Sequence, residues 1–212
     1  MTGLRETKKR RTREAIAQAA AHLFREHGFE SVTVDDVART ADVSRQTVFN
    51  YFPTKEQMLF DREEEIAEAL LALVAGPHDG ASLVAAFRRH TREFWERFGA
   101  ILSRGGETHG FWEIVRASPA LRDYAEASFG RQARRAGDAL AQAWNRPPDD
   151  PTCHALARAL CGVNVAFLTC GMERLSDGED APTVVADMIT QSGEAYAALE
   201  RGLGQFVPAS TQ

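Results

Sequence analysis

The stretch from Val34 to Phe52, VDDVARTADVSRQTVFNYF, constrains this chain more than any other. Its pattern predicts two short helices, Val34 to Ala41 and Ser44 to about Tyr51, around a tight turn at Asp42-Val43. Val37, Ala38, Ala41, Val43 and Val48 supply the apolar positions that a packed helix pair needs. Arg45, Gln46, Thr47 and Asn50 leave the other face of the second helix polar and rich in hydrogen-bond donors. A short polar helix braced against a second one is the geometry that enters a DNA major groove.

Charge supports that reading once the chain is divided. Overall the 212 residues carry −5, which is wrong for a polyanion binder. Residues 1–55, however, hold ten Lys/Arg against seven Asp/Glu, and the remainder holds fifteen against twenty-three. A small basic module on a larger acidic body is the pattern expected of a nucleic-acid reader with an attached control region. The basic residues cluster at Arg5, Lys8, Lys9, Arg10, Arg11 and Arg13, a phosphate-seeking arm ahead of the helix pair. No run of about 18 apolar residues predicts a membrane span, and no apolar stretch follows the basic N-terminus as a secretory signal requires. Cys153, Cys161 and Cys170 are odd in number and form no C-x-x-C pair, which fits a reducing, cytoplasmic setting.

Taken in order, the chain reads as all-α. A first helix from roughly Thr7 to His27 shows Ile16, Ala19, Ala20, Leu23 and Phe24 on one face. Gly28 should end it in a left-handed conformation, with Phe29 folding back on Phe24 as in a Schellman stop. Thr33-Val-Asp-Asp36 has the form of a capping box, and Thr54-Lys-Glu-Gln57 opens a long fourth helix with Leu59, Ile66, Leu70 and Leu73 on it. Gly76 to Gly80 ends that helix. Helices follow over Ser82 to about Ser103, around Phe111 to Val115, from Ser118-Pro119 to about Trp144, from Pro151 to about Leu175, and from Pro182 to about Leu203. Arg104-Gly105-Gly106 and the prolines of Asn145 to Asp150 mark breaks between them. No alternating run of β-branched residues predicts a strand.

The first helix ending Glu-His-Gly-Phe, the T-V-D-D-V-A opening, S-R-Q-T-V-F-N-Y-F and P-T-K-E together resemble the tetracycline-repressor (TetR) family of bacterial transcription factors. The resemblance covers about residues 10–60 and is architectural beyond that. It implies an N-terminal three-helix helix-turn-helix DNA-binding domain over 1–54. It also implies a larger helical ligand-binding and dimerisation domain over 55–212, with roughly nine helices in all. Thr33, Ser44, Arg45, Gln46, Thr47, Phe49, Asn50, Tyr51 and Lys55 would then lie at the DNA, with Arg10 and Arg11 on the arm. Arg45 favours guanine O6/N7 and Gln46 adenine N6/N7 on geometric grounds, while Thr47 or Phe49 suits a thymine methyl. Thr33, Tyr51 and Lys55 would set register on phosphates, and the N-terminus of the fourth helix would also favour a phosphate. Many family members carry Gly where this chain has Asp42, a site that calls for positive φ.

The same resemblance implies a palindromic operator, read by a homodimer formed through helices at about 151–175 and 182–203. Ala155, Ala159, Gly162, Ala166 and Gly171 are small enough for close approach there. A small, largely apolar effector would sit among Phe87, Thr91, Phe94, Phe98, Phe111, Trp112, Tyr124, Asn164 and Phe167, and release the DNA. Asn164 is a polar group in an apolar run and needs a partner if buried. No cofactor, metal or catalytic residue is expected. The competing reading is a small helical enzyme or metal sensor using His109 and Glu113, with Glu107 and Asp123 near, or a redox sensor built on the cysteines.

Overall fold

The computed structural model describes residues 2–76, 80–103 and 109–203. They form ten helices in chain order: α1 (Thr2–His27), α2 (Val34–Thr40), α3 (Arg45–Tyr51), α4 (Glu56–Leu59), α5 (Glu63–Val74), α6 (Gly80–Leu102), α7 (His109–Ala117), α8 (Pro119–Ala143), α9 (Pro151–Ser176) and α10 (Ala181–Leu203). No strand occurs among the described residues. Two compact units divide the chain: a head of Met1–Glu64 with Gly110–Glu126, and a body of Glu65–His109 with Ala127–Gln212.

The head is made by local signals. Gly28 ends α1 at φ 81, its N–H donating to the Phe24 carbonyl at 3.0 Å, and the Phe24 and Phe29 rings meet edge-on at 5.0 Å. That single bond is the αL closure rather than the two-bond Schellman stop anticipated. Thr33 caps α2 in the reciprocal box with Asp36. Asp42 turns the chain at φ 53, and Val43 N–H reaches back to the Ala38 carbonyl at 3.0 Å. Val37, Val48 and Phe52 are fully buried and lock the helix pair to its own core.

Two expectations for the head need correction. α1 begins at Thr2 rather than near Thr7, so helix covers the whole basic segment and not only Lys8, Lys9, Arg10 and Arg11. Nor is there one long helix from Thr54 to Leu73. Thr54 and Gln57 do cap each other reciprocally (3.2 and 3.4 Å), but the helix they open stops after Leu59. Tertiary contacts explain the break. The Phe60 ring turns onto Phe111 (5.3 Å) and Tyr124 (4.9 Å), while the Asp61 carbonyl accepts from the Arg13 guanidinium at 3.1 Å. Four residues of α4 are too few for the N-terminal phosphate site that a long helix would offer. The corner between α7 and α8 is capped as expected, with Ser118 Oγ accepting from Leu121 N–H and donating to Glu30 at 2.7 Å.

The body is built from long helices that approach closely. Leu83, Val84 and Phe87 of α6 share one core with Ala136 and Leu140 of α8, Leu156 and Leu160 of α9 and Tyr196 of α10. A Cβ at Gly171 would run into the fully buried Trp95 ring, and one at Gly99 would lie 3.2 Å from Val185. Asp150 caps α9 by accepting from the N–H groups of Thr152 and Cys153 at 2.9 and 3.0 Å, with Pro151 behind it. Its carboxyl is held below the ordinary range, chiefly by the Cys153 bond. Arg174 ties the turn after α9 to α10, meeting Glu179 and Asp187 at 2.8 Å each. The expectation of no long apolar run also needs amending: α9 has an 18-residue window of mean hydropathy 1.5, apolar and long enough to cross a bilayer, with 33% of it buried. The anticipated stops at 76–80 and 104–106 fall largely outside the described residues, as does Glu107.

Candidate nucleic-acid interface

Ser44 starts α3: its Oγ accepts from Thr47 N–H at 3.0 Å and lies 2.8 Å from Thr47 Oγ1. Both hydroxyls therefore serve the cap. Val48 faces the core with no exposure, which turns Arg45, Gln46, Phe49 and Asn50 outward. Gln46 Nε2 donates to Asn50 Oδ1 at 3.1 Å, one turn along, so the two amides form a joined polar edge. Phe49 is 37% exposed, a large apolar ring left in water beside the arginine that leans over it at 5.6 Å. Arg45 Nη1 also donates at 2.9 Å to Asp35, a first-turn residue of α2. Sequence reasoning passed over Asp35, because an acid in a first helical turn is explained by the helix dipole alone.

The residues expected on phosphates are more occupied than expected. Thr33 Oγ1 both donates to the Asp36 carboxylate (2.5 Å) and accepts from Asp36 N–H (3.2 Å). That hydroxyl bond, then the Thr33 N–H, holds the Asp36 carboxyl below its ordinary value. Lys55 Nζ donates to the carbonyls of Phe29 (2.6 Å) and Val32 (3.0 Å), and sits 4.0 Å from the Phe29 ring centre. Arg13 donates to the Tyr51 and Asp61 carbonyls and lies over the Phe52 ring at 4.2 Å. These two cations pin loops inside the head. Tyr51, half-buried, supplies one of the carbonyls so used. Arg10 makes a loose pair with Glu14 at 3.5 Å, and Arg11 is exposed.

The expected pocket residues fall into two groups. Phe111, Trp112 and Tyr124 belong to the head, where Phe111 and Tyr124 pack on Phe60. Phe87, Thr91, Phe94, Phe98, Asn164 and Phe167 belong to the body. There Thr91 Oγ1 donates to Asn164 Oδ1 at 3.2 Å and lies 3.0 Å from the Tyr196 hydroxyl. The partner that Asn164 needed is thus inside the body. Tyr196 was missed, and burial pushes its phenol up to about 12. A signal existed: Val184, Met188, Ser192 and Tyr196 recur every fourth residue, and all are buried. A groove of about 380 Å³ opens elsewhere in the body, lined by Ala85, Arg88, Arg89, Arg92, Ile189 and Gly193.

Cys153 and Cys161 are buried, and burial pushes both thiols up to about 11, away from the reactive thiolate. Cys170 is exposed. The His109 side chain lies outside the described residues, and among those described no three His, Cys, Asp or Glu side chains come together to hold a metal.

Residues 16–61 match the family model for bacterial regulatory proteins of the tetR family. The chain is 36% identical over 90 residues to the HTH-type transcriptional regulator TcmR of Streptomyces glaucescens, covering 41% of this chain and 40% of that one. It is 29% identical over 133 residues to the regulator BetI of Agrobacterium fabrum, covering 56% and 64%. Each alignment thus spans less than two thirds of the relative. In fold, the chain is similar to the solved structure of NalD, the secondary repressor of the MexAB-OprM multidrug efflux pump in Pseudomonas aeruginosa. The TM-score is 0.56 at 17% identity, over 89% of this chain and 97% of that one.

Proposed function

We propose, for a chain that belongs to the tetR family of bacterial regulatory proteins, that it is a cytoplasmic transcriptional repressor and not an enzyme. It binds a palindromic operator as a homodimer and is released by a small, largely apolar effector. The observation that carries the reading is α3 itself. Its inner face is closed by Val48 and its outer face offers Arg45, Gln46, Phe49 and Asn50 together. That face suits major-groove edges, with Arg45 and Gln46 as leading readers. Ser44, Thr47 and Thr33 would add contacts from the starts of α3 and α2. Tyr51, Lys55, Arg10 and Arg11 would add phosphate grip, Lys55 while still pinned to its two carbonyls.

One reading helix contacts too few base pairs for an operator, so a two-fold pair on successive groove faces is required. The apolar character of α9, most of it unburied in a single chain, supports a partner covering α9 and α10. The effector site would draw on Phe94, Phe98, Asn164 and Phe167 in the body. An effector acts only through its preference for the conformer with misplaced heads.

Selection of bound sequences from random duplex tests the reading. An inverted repeat is expected, lost in Arg45→Ala, and equal affinity for random duplex would sink it. Sedimentation should give a dimer. Candidate effectors titrated against operator affinity check release; no change with any compound bound in the body would remove the effector from the account.

A further inference from the structure

We infer that Asp35 and Arg45 act as one reading unit over two adjacent base pairs, making Asp35 a specificity-determining residue. The inference rests on the operator-binding reading above. The two side chains come from different helices, α2 and α3, ten residues apart, and meet at 2.9 Å with more than half of each exposed. An exposed pair of this kind contributes little to stability, so the fold does not depend on it.

Its geometry has a consequence for the groove. The guanidinium uses Nη1 on Asp35 Oδ2, and Phe49 flanks it at 5.6 Å, so its orientation is set before DNA arrives. A guanidinium carries five N–H donors, and those not used on Asp35 can still fork onto guanine O6 and N7. Asp35 keeps acceptor capacity beside it. A hydrogen bond joins Asp35 to that guanidinium, so the carboxylate stands beside whatever base the guanidinium reads. The carboxylate is therefore carried to the base next to the guanine. There it accepts from an exocyclic amine, cytosine N4 or adenine N6, and repels thymine O4 and guanine O6. Selection at that position is as much exclusion as attraction. The unit reads a guanine followed by an amine-bearing base, where Arg45 alone would read only the guanine.

The structural alternative is that Asp35 merely complements the N-terminus of α2. Base preference separates the two, since a helix-end role moves melting temperature and no single operator position. Bound sequences are selected from random duplex with the full-length protein, Asp35→Ala and the near-isosteric Asp35→Asn. In the wild type, the neighbour of the Arg45-dependent guanine should favour C or A by on the order of tenfold over T or G. Asp35→Ala should flatten that position while retaining the guanine. Asp35→Asn, which offers a donor as well, should admit T and G there. Unchanged preference at every position in both folded variants overturns the inference. A wild type that selects no sequence overturns the operator reading itself, a distinct result.

Discussion

Head and body hold their helices by different means. α2 and α3 have seven residues each, too short to persist alone. They persist through side-chain caps at Thr33 and Ser44, a positive-φ turn, and two cations on backbone carbonyls. α9 and α10, with 26 and 23 residues, are held by buried bulk against small residues, as at Trp95 and Gly171. In the head, many small polar contacts at the rim thus add to the buried core of Val37, Val48 and Phe52. Body stability is concentrated in a few large buried ones. The arrangement leaves the outer face of α3 free to vary without unfolding it, and makes the body sensitive to a single change in volume.

That contrast can be broken. Trp95→Ala removes the largest fully buried side chain in the body and should cost about 3–5 kcal/mol by denaturant titration. Gly171→Ala should follow at about 1–3 kcal/mol, because the ring it meets cannot fold away. A neutral Gly171→Ala would show the close approach to be soft and undo the contrast. In the head, Thr33→Ala should cost only about 1 kcal/mol, seen as faster amide exchange in α2 with α9 unchanged.

Smallest is a pH effect shared by both units. Asp36 and Asp150 are both lowered in the folded state, so each stabilises above its unfolded value near 3.8 and loses that contribution as pH falls through its folded value. The melting gap between wild type and Asp36→Asn or Asp150→Asn should be widest at neutral pH and close under acid. A gap that widens on acidification would reverse the assigned sign.

What the sequence showed plainly was local. The turn at Asp42, the stop at Gly28 and the caps at Thr33 and Ser118 lie within a few residues of their causes, and all appear where expected. What it hid was tertiary. The break at Phe60 depends on Phe111 and Tyr124, more than fifty residues away, which no helical period reveals. Lys55 and Arg13 read as phosphate ligands because their basicity is visible and their carbonyl partners are not. Aromatics chosen as one pocket were grouped by type, and the fold shares them between two units.

Asp42, at φ 53, carries a consequence for how this chain can evolve. Only Gly, Asn and Asp sit comfortably in that backbone region. Codons for Gly and Asn each lie a single base change from those for Asp, whereas Ala, Val, Tyr, His and Glu, equally near, strain the turn. Drift at this codon therefore has two safe exits and many closed ones. Natural variants should differ freely at the exposed Gln46 or Asn50 and hold to three residues at the hinge between the helices.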